Sequence, residues 1–233
     1  MGKTSRELIS IAVDGPVSAG KSTLCDALAQ QLGILHLDTG AMYRAVGLYA
    51  LDNGISTDDG PALDALMERD GAKVTVSFEN GIQKTWLNGA DVTPRLREEA
   101  VGAAASAVSR FPSVRREMVR AQQEIAGKQS LIIDGRDIGT VVLPRADIKV
   151  FLTATPEARA LRRYTQLISA GQKADYRAVL SELIKRDAQD SGRAVDPLRP
   201  AEDAVILDTS ALSFEESLAK LLELVKAHDA DQA

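Results

Sequence analysis

Gly15-Pro16-Val17-Ser18-Ala19-Gly20-Lys21-Ser22 is the stretch that decides the fold. It fits the pattern of a glycine, four residues and then Gly-Lys-Ser/Thr, a pattern that has meaning only between a strand and a helix. Both flanks comply. Leu8-Ile9-Ser10-Ile11-Ala12-Val13 is a short apolar run ended by Asp14-Gly15-Pro16, which reads as a buried strand followed by a loop. Beyond the loop, Leu24, Leu28 and Leu32 recur every four residues and keep one helix face inward. Glycines let successive backbone N–H groups converge on one point, and the helix start favours negative charge there. Lys21 adds a mobile cation for the β and γ oxygens of a nucleoside triphosphate. Ser22 is the expected Mg²⁺ ligand. A glycine-rich turn that only joined strand to helix would leave the Lys-Ser pair unexplained.

Further along, Ile34–Leu37 repeats the strand pattern, and Asp38 and Thr39 are cap candidates for a helix running to about Asp52. Strand, loop, helix, strand, helix implies a parallel sheet. Between Asp52 and Arg97 the character changes. Lys73–Phe78 and Ile82–Leu87 are β-rich runs joined through Asn80-Gly81, and Asn88-Gly89 turns the chain again toward Ala90–Val92. Asn-Gly supplies the positive φ angles of tight hairpins, so a small antiparallel meander is expected, inserted into the α/β chain and held by few contacts. Helices are predicted over Glu98–Val108, Ser113–Ala126, most of Pro156–Lys185 and Phe214–Ala227, with a frayed tail after the last. Strands are predicted at Leu131–Ile133, Ile148–Leu152 and Ala204–Leu207.

The chain has 233 residues, 45% apolar and 26% charged, which suits one main globular domain with additions. A net charge of −5 gives no support to wholesale binding of nucleic acid or of an anionic membrane. Cys25, the only cysteine, rules out an internal disulfide framework and cysteine-rich zinc sites; it reads as a packing thiol in a reducing compartment. None of the three asparagines starts a glycosylation sequon, and no apolar run approaches membrane-spanning length. The N-terminus lacks a signal-peptide core, and Arg6 stands where myristoylation needs Ser or Thr. The cytoplasm is the expected location. His36 and His228 match no catalytic pattern and read as structural or surface residues.

A phosphate loop alone leaves the reaction open. Guanine recognition needs an Asn-Lys-x-Asp element, and Asn88-Gly89-Ala90-Asp91 lacks the lysine. A motor would need a longer chain. A kinase for a small acceptor needs a second anion site and a closable cover, because phosphoryl transfer is mostly positioning and charge stabilisation. Arg44, in the Asp38–Arg44 helix start, and Arg136, after the Leu131–Ile133 strand, should meet at the C-terminal sheet edge, where α/β sheets bind ligands. There they could fork an acceptor phosphate. Arg159, Arg162 and Arg163 share a helical face that is either solvated or part of the cover, while Arg186 and Arg193 flank a predicted helix end and are assigned to closing over phosphates.

Five ordered segments, Asp14–Thr23, Leu37–Arg44, Ala104–Arg115, Asp134–Val142 and Lys185–Val195, together make the chain resemble the bacterial cytidylate kinase family from about Ile9 to Val225. That resemblance implies an α/β fold of the P-loop NTPase type in three layers. It has a central parallel sheet, a lid and an antiparallel β insert in the monophosphate-binding region. The implied division is one domain over residues 7–228, with a core of 7–60 and 128–228, an insert of about 61–127 and a lid of about 160–193. It implies transfer of the γ-phosphoryl group of ATP, with Mg²⁺, to CMP or dCMP by a monomer. Gly15, Pro16, Val17, Ser18, Ala19, Gly20, Lys21, Ser22 and Thr23 would hold the ATP phosphates. Arg44, Arg136 and Arg193 would hold the CMP phosphate or the transferring group, and Lys21, Arg136, Arg186 and Arg193 would carry catalysis. Thr39, Tyr43, Ser106, Arg115 and Asp137 would line the cytosine pocket, and Arg186 with Asp190 would meet the sugar. The chain departs from the family at Val17-Ser18, where a small residue and Gly are usual, at Thr39, where Ser is commoner, and at Gln189 and Ser191, where some members carry arginine. Rival readings are a P-loop kinase of UMP, AMP or a shikimate-like alcohol, and a non-catalytic nucleotide-binding regulator.

Overall fold

A computed structural model describes residues 8–68 and 71–231. Met1–Arg6 and the expected domain start at residue 7 lie outside the described residues. In chain order the elements are β1 (Ser10–Asp14), α1 (Lys21–Leu32), β2 (Leu35–Asp38), α2 (Thr39–Asp52), α3 (Gly60–Glu68), β3 (Val74–Glu79), β4 (Ile82–Leu87), β5 (Ala90–Asp91), α4 (Glu99–Val108), α5 (Pro112–Ala126), β6 (Leu131–Gly135), β7 (Ile148–Thr153), α6 (Pro156–Ser169), α7 (Tyr176–Ser191), β8 (Val205–Asp208) and α8 (Phe214–Asp231). Five strands form one sheet in the order β2-β6-β1-β7-β8, every pair parallel. The chain leaves β1 for β2 on one side and returns to β7 on the other, so the switch of direction falls at the C-terminal end of β1, beside the phosphate loop.

Both sheet faces are covered. Ile11, Val13, Ile132, Val150 and Leu152 face a cluster completed by Leu24 and Leu28 of α1 and Leu221 of α8. Ala12, Leu37, Leu131 and Ile133 face the other way, toward Met42, Val46, Val108, Val114 and Met118 of α2, α4 and α5. The in-register pairs Ile11↔Ile132 and Ala12↔Ile133 explain the split, because paired neighbours share a face and successive residues alternate. A strand buried on both faces has no polar alternation, hence the unbroken apolar runs in the sequence. Ile133 is fully buried at the centre of this arrangement. Ile133→Ala is expected to cost about 2–5 kcal/mol of stability through lost burial and the cavity left behind; a denaturant melt that moves by less than 1 kcal/mol, on the same scale, would contradict this packing.

The antiparallel meander is present as a separate sheet, β3-β4-β5. Its turns use the expected residues: Asn80 and Gly81 have φ of 53° and 79°, and Asn88 and Gly89 have 50° and 83°. The expectation of few anchoring contacts is corrected. Val74, Leu87 and Val92 belong to the same buried cluster as α2 and the central sheet. Gln83 also accepts from Asp38 N at 2.7 Å and donates to Asp38 O at 3.2 Å, so one amide ties β4 to the backbone where β2 becomes α2. Other differences are local. The helix α3 had no expectation attached to it, and α8 runs on to Asp231 where fraying was expected after Ala227.

Candidate active site

Gly15 has φ 148°, and a Cβ built on it would lie 2.0 Å from Leu152 O, so the loop can pass β7 only with glycine there. Ser18 answers the question posed by the Val17-Ser18 departure. It adopts φ 59° itself, a left-handed conformation that costs a non-glycine residue about 1–2 kcal/mol. Gly20 then opens α1, whose first residue is Lys21. Lys21 was expected as a mobile cation for phosphate oxygens. Instead it is buried, and Nζ donates to Gly15 O at 2.8 Å and Pro16 O at 2.9 Å, so the loop's own carbonyls solvate the buried ammonium. Burial, followed by the charge of Arg136, pushes this ammonium down to about 7.

Ser22 Oγ donates to Asp134 Oδ2 at 3.0 Å. Asp134 is the penultimate residue of β6, beside β1, and is buried; burial raises its carboxyl, but His36 and Lys21 outweigh that and hold it below its ordinary range. Asp14, at the end of β1, accepts from Ile138 N at 2.7 Å and Gly139 N at 2.8 Å, which fixes the turn that follows Asp137. Burial pushes the Asp14 carboxyl up to about 6 against those two hydrogen bonds.

One cavity of about 620 Å³ joins the phosphate loop to the second group of predicted residues. Its lining includes Val17 to Thr23 at one end, Tyr43, Ser106, Arg115 and Asp137 at the other, and Thr39, Arg44, Arg136, Arg186 and Arg193 besides. Of the residues expected at the site, Gly15 and Pro16 alone are not on that lining; their carbonyls accept from Lys21. At the far end, Arg115 donates through Nη2 to Asp137 Oδ2 and through Nε to Asp196 Oδ2 at 2.7 Å. Arg115 is almost completely buried, so these two acids compensate it. Burial raises the Asp137 carboxyl, with Arg115 opposing. Tyr43 has its phenol pushed up to about 12, mainly by burial, and stays protonated. Thr39 donates to Asp134 O at 2.7 Å, so its hydroxyl has only lone pairs left for a ligand.

Between the two ends the charges do not cancel. Arg136 Nε donates to Asp190 Oδ2 at 2.8 Å, and Arg193 donates to the other oxygen of the same carboxylate. Burial raises Asp190, and the arginines, Arg136 first, hold it below its ordinary range. Asp190 was expected to meet the sugar. In this arrangement both its oxygens are occupied, because it is the nearest buried anion to two guanidinium groups. Arg44 is paired with Asp38 at 2.6 Å, but its Nε is buried without a partner. Arg186 Nε is likewise buried and unpartnered, and its guanidinium is held down by burial and then by Arg136. Two orphaned cationic donors beside the same cavity define a place for an anion.

The helical-face arginines resolve differently from one another. Arg159, left open between solvent and cover, is buried: it donates to Ala154 O at 2.9 Å, to Val17 O at 3.0 Å and to Asp187 Oδ2 at 2.6 Å. It thereby links the residue after β7, the phosphate loop and α7. Arg162 reaches Thr209 Oγ1 at 3.1 Å, and Arg163 remains exposed on Gln166. Sequence reasoning gave no role to Asp14, Asp134, Asp196 or Thr209. Asp134 had a usable signal, an acid ending an apolar strand; Asp196 had none, since its partner Arg115 lies in another part of the chain.

A sheet with this strand order, a phosphate loop after β1 and a second anion site in the same cavity define a P-loop kinase. A family model for cytidylate kinase matches residues 11–227, and the chain belongs to the cytidylate kinase family. It is 48% identical to a cytidylate kinase of Caldicellulosiruptor bescii, covering 93% of this chain and 95% of that relative. It is 46% identical to a cytidylate kinase of Pasteurella multocida, covering 94% and 96%. Among solved structures, a gluconokinase from Sinorhizobium meliloti 1021 matches with a TM-score of 0.49 at 12% identity over 98% of this chain and 99% of that one, too distant a likeness to carry an argument. Among the described residues no helix is long and apolar enough to cross a membrane.

Proposed function

We propose that the protein transfers the γ-phosphoryl group of ATP to CMP or dCMP, giving ADP and CDP or dCDP. The observation that carries this reading is the single cavity with a phosphate loop at one end, a buried Arg115–Asp137 pair at the other and under-compensated arginines between. ATP lies along Gly15–Thr23, and Lys21 exchanges its loop carbonyls for the β and γ oxygens. Arg44 and Arg136 hold the acceptor phosphate, and Arg186 and Arg193 meet the transferring group from the lid, residues 160–193. The acceptor is already anionic, so no strong protein base is needed; an acceptor oxygen attacks phosphorus in line and ADP leaves. Residues of the Asp190 region reach the sugar once the phosphates draw Arg136 and Arg193 away from that carboxylate.

Mg²⁺ fits the donors present. The Ser22 proton is committed to Asp134, which leaves the hydroxyl lone pairs for a hard cation, with an anionic carboxylate behind them. Bound there by Ser22, it supplies charge neutralisation on the phosphate oxygens. The cytosine end reads donors and acceptors: Asp137 takes only one Arg115 bond, which leaves carboxylate capacity for the N4 amino group, and Thr39 offers a further acceptor. We read the protein as a working monomer, and the lone buried cysteine suits a cytoplasmic setting. A coupled ADP-release assay across CMP, dCMP, UMP, AMP and shikimate tests the whole reading. CMP or dCMP should give the highest kcat/KM; ATP binding with no acceptor-dependent ADP release would reduce the protein to a nucleotide-binding regulator.

A further inference from the structure

Behind the phosphate loop lies a chain of side chains that the reaction has not used. Ser22 Oγ occupies one oxygen of Asp134, and the other oxygen, Oδ1, lies 2.9 Å from His36 Nε2. The opposite ring nitrogen, Nδ1, lies 2.6 Å from Asp26 Oδ1. Asp26 sits one helical turn beyond Ser22 on α1, so the path runs from α1 through Asp134 and His36 back to α1. His36 and Asp134 are each only 5% exposed, whereas Asp26 is 74% exposed and caps the chain from the surface.

The ring has carboxylate oxygens at both nitrogens. A neutral imidazole carries one donor and one acceptor and would set a lone pair against one of those oxygens; a ring donating from both nitrogens satisfies both. Stability does not account for this choice at β2. A buried ion triad is often no more stabilising than apolar side chains of the same volume, and residues on either side of His36 in β2 are leucines. What the triad does supply is orientation: with Oδ1 held by His36, Asp134 can present only Oδ2 to Ser22.

We propose that His36, braced by Asp26, is a positioning residue that fixes Asp134 against the Ser22 hydroxyl and so sets how strongly a divalent cation tightens nucleotide binding at the phosphate loop. The proposal rests on Ser22 facing that cation. It predicts an effect on the metal-dependent part of nucleotide affinity and none on the part due to loop N–H groups and Lys21, which His36 does not touch. Such a split separates positioning from general loosening of the fold, which would weaken binding with and without metal.

The experiment is calorimetric titration with ADP, with Mg²⁺ and with excess EDTA, on the wild type, His36→Leu and His36→Gln. In the wild type Mg²⁺ should tighten ADP; if it does not, the reading of Ser22 fails and the proposal with it. In His36→Leu that gain should fall about tenfold, the usual size for loss of a group that orients a metal-site side chain, while the EDTA affinity stays unchanged. His36→Gln, whose amide can donate to Asp134, should recover part of the gain. A folded His36→Leu protein that keeps the full Mg²⁺ gain, in a wild type that shows one, overturns the proposal and leaves Ser22 untouched. If His36→Leu does not fold, Asp26→Ala at the exposed end decides: a several-fold smaller gain supports the brace, and an unchanged gain overturns it.

Discussion

Lys21→Ala should lower kcat by on the order of a hundredfold or more, the usual cost of removing one group that stabilises transition-state charge in a closed site. The contacts of Lys21 sharpen this expectation. Nζ is bound to Gly15 O and Pro16 O, so the mutation removes a phosphate cation and also two hydrogen bonds that hold the loop. Both effects lower turnover, and they can be told apart. Lys21→Met keeps the buried stem and lacks the ammonium; its turnover should fall as far as that of Lys21→Ala, while its melting temperature stays nearer the wild type. Near-normal turnover in either purified, folded variant would overturn the assignment of the loop to ATP phosphates.

The second large effect concerns base choice. Asp137→Asn should narrow the ratio of kcat/KM for CMP over UMP by about 5- to 150-fold, corresponding to roughly 1–3 kcal/mol for a donor–acceptor mismatch in a buried site. Uracil sets a carbonyl where cytosine has its amino group, so the wild-type carboxylate would face an acceptor; an amide at 137 can turn its NH₂ toward that carbonyl. The substitution also weakens the contact to Arg115, but Asp196 still holds Arg115 Nε, which should keep that side chain in place. Activity on both nucleotides therefore falls, and the ratio carries the information. A ratio that stays fixed while both activities drop equally would mean that Asp137 serves only to hold Arg115, and base reading would move to Thr39 and Ser106.

These two experiments probe the two ends of one cavity, and they are independent in sequence and in space. Failure at Lys21 would question the kinase itself, whereas failure at Asp137 would question only its substrate. The anchored insert matters to the second. With Gln83 tied to the backbone of Asp38 and the meander sharing the core of α2, the wall that carries Thr39 and Tyr43 is built on a docked element.

Much of the architecture is local and was therefore legible. The apolar runs of β1, β6 and β7, the four-residue spacing of α1, the Asn-Gly hairpins and the Asp38 cap, whose side chain accepts from Ala41 N, each depend on neighbours within a few positions. The phosphate loop was legible for the same reason, since eight consecutive residues hold its pattern. The gathering of Arg44, Arg136, Arg186 and Arg193 was expected from their places after strands and at a helix end, but not which of them would be compensated. Tertiary structure alone decided that Asp190 is shared by two arginines, that Asp196 serves Arg115 across 81 positions of chain and that Arg159 is buried between the loop and α7. It also turned His36 from a residue without a motif into a bridge between Asp26 and Asp134. Periodicity and turn chemistry report a residue's own backbone and face. The partner that neutralises a buried charge is set by which distant strands and helices meet at the sheet edge, and that meeting is a property of the packed sheet, not of any one segment.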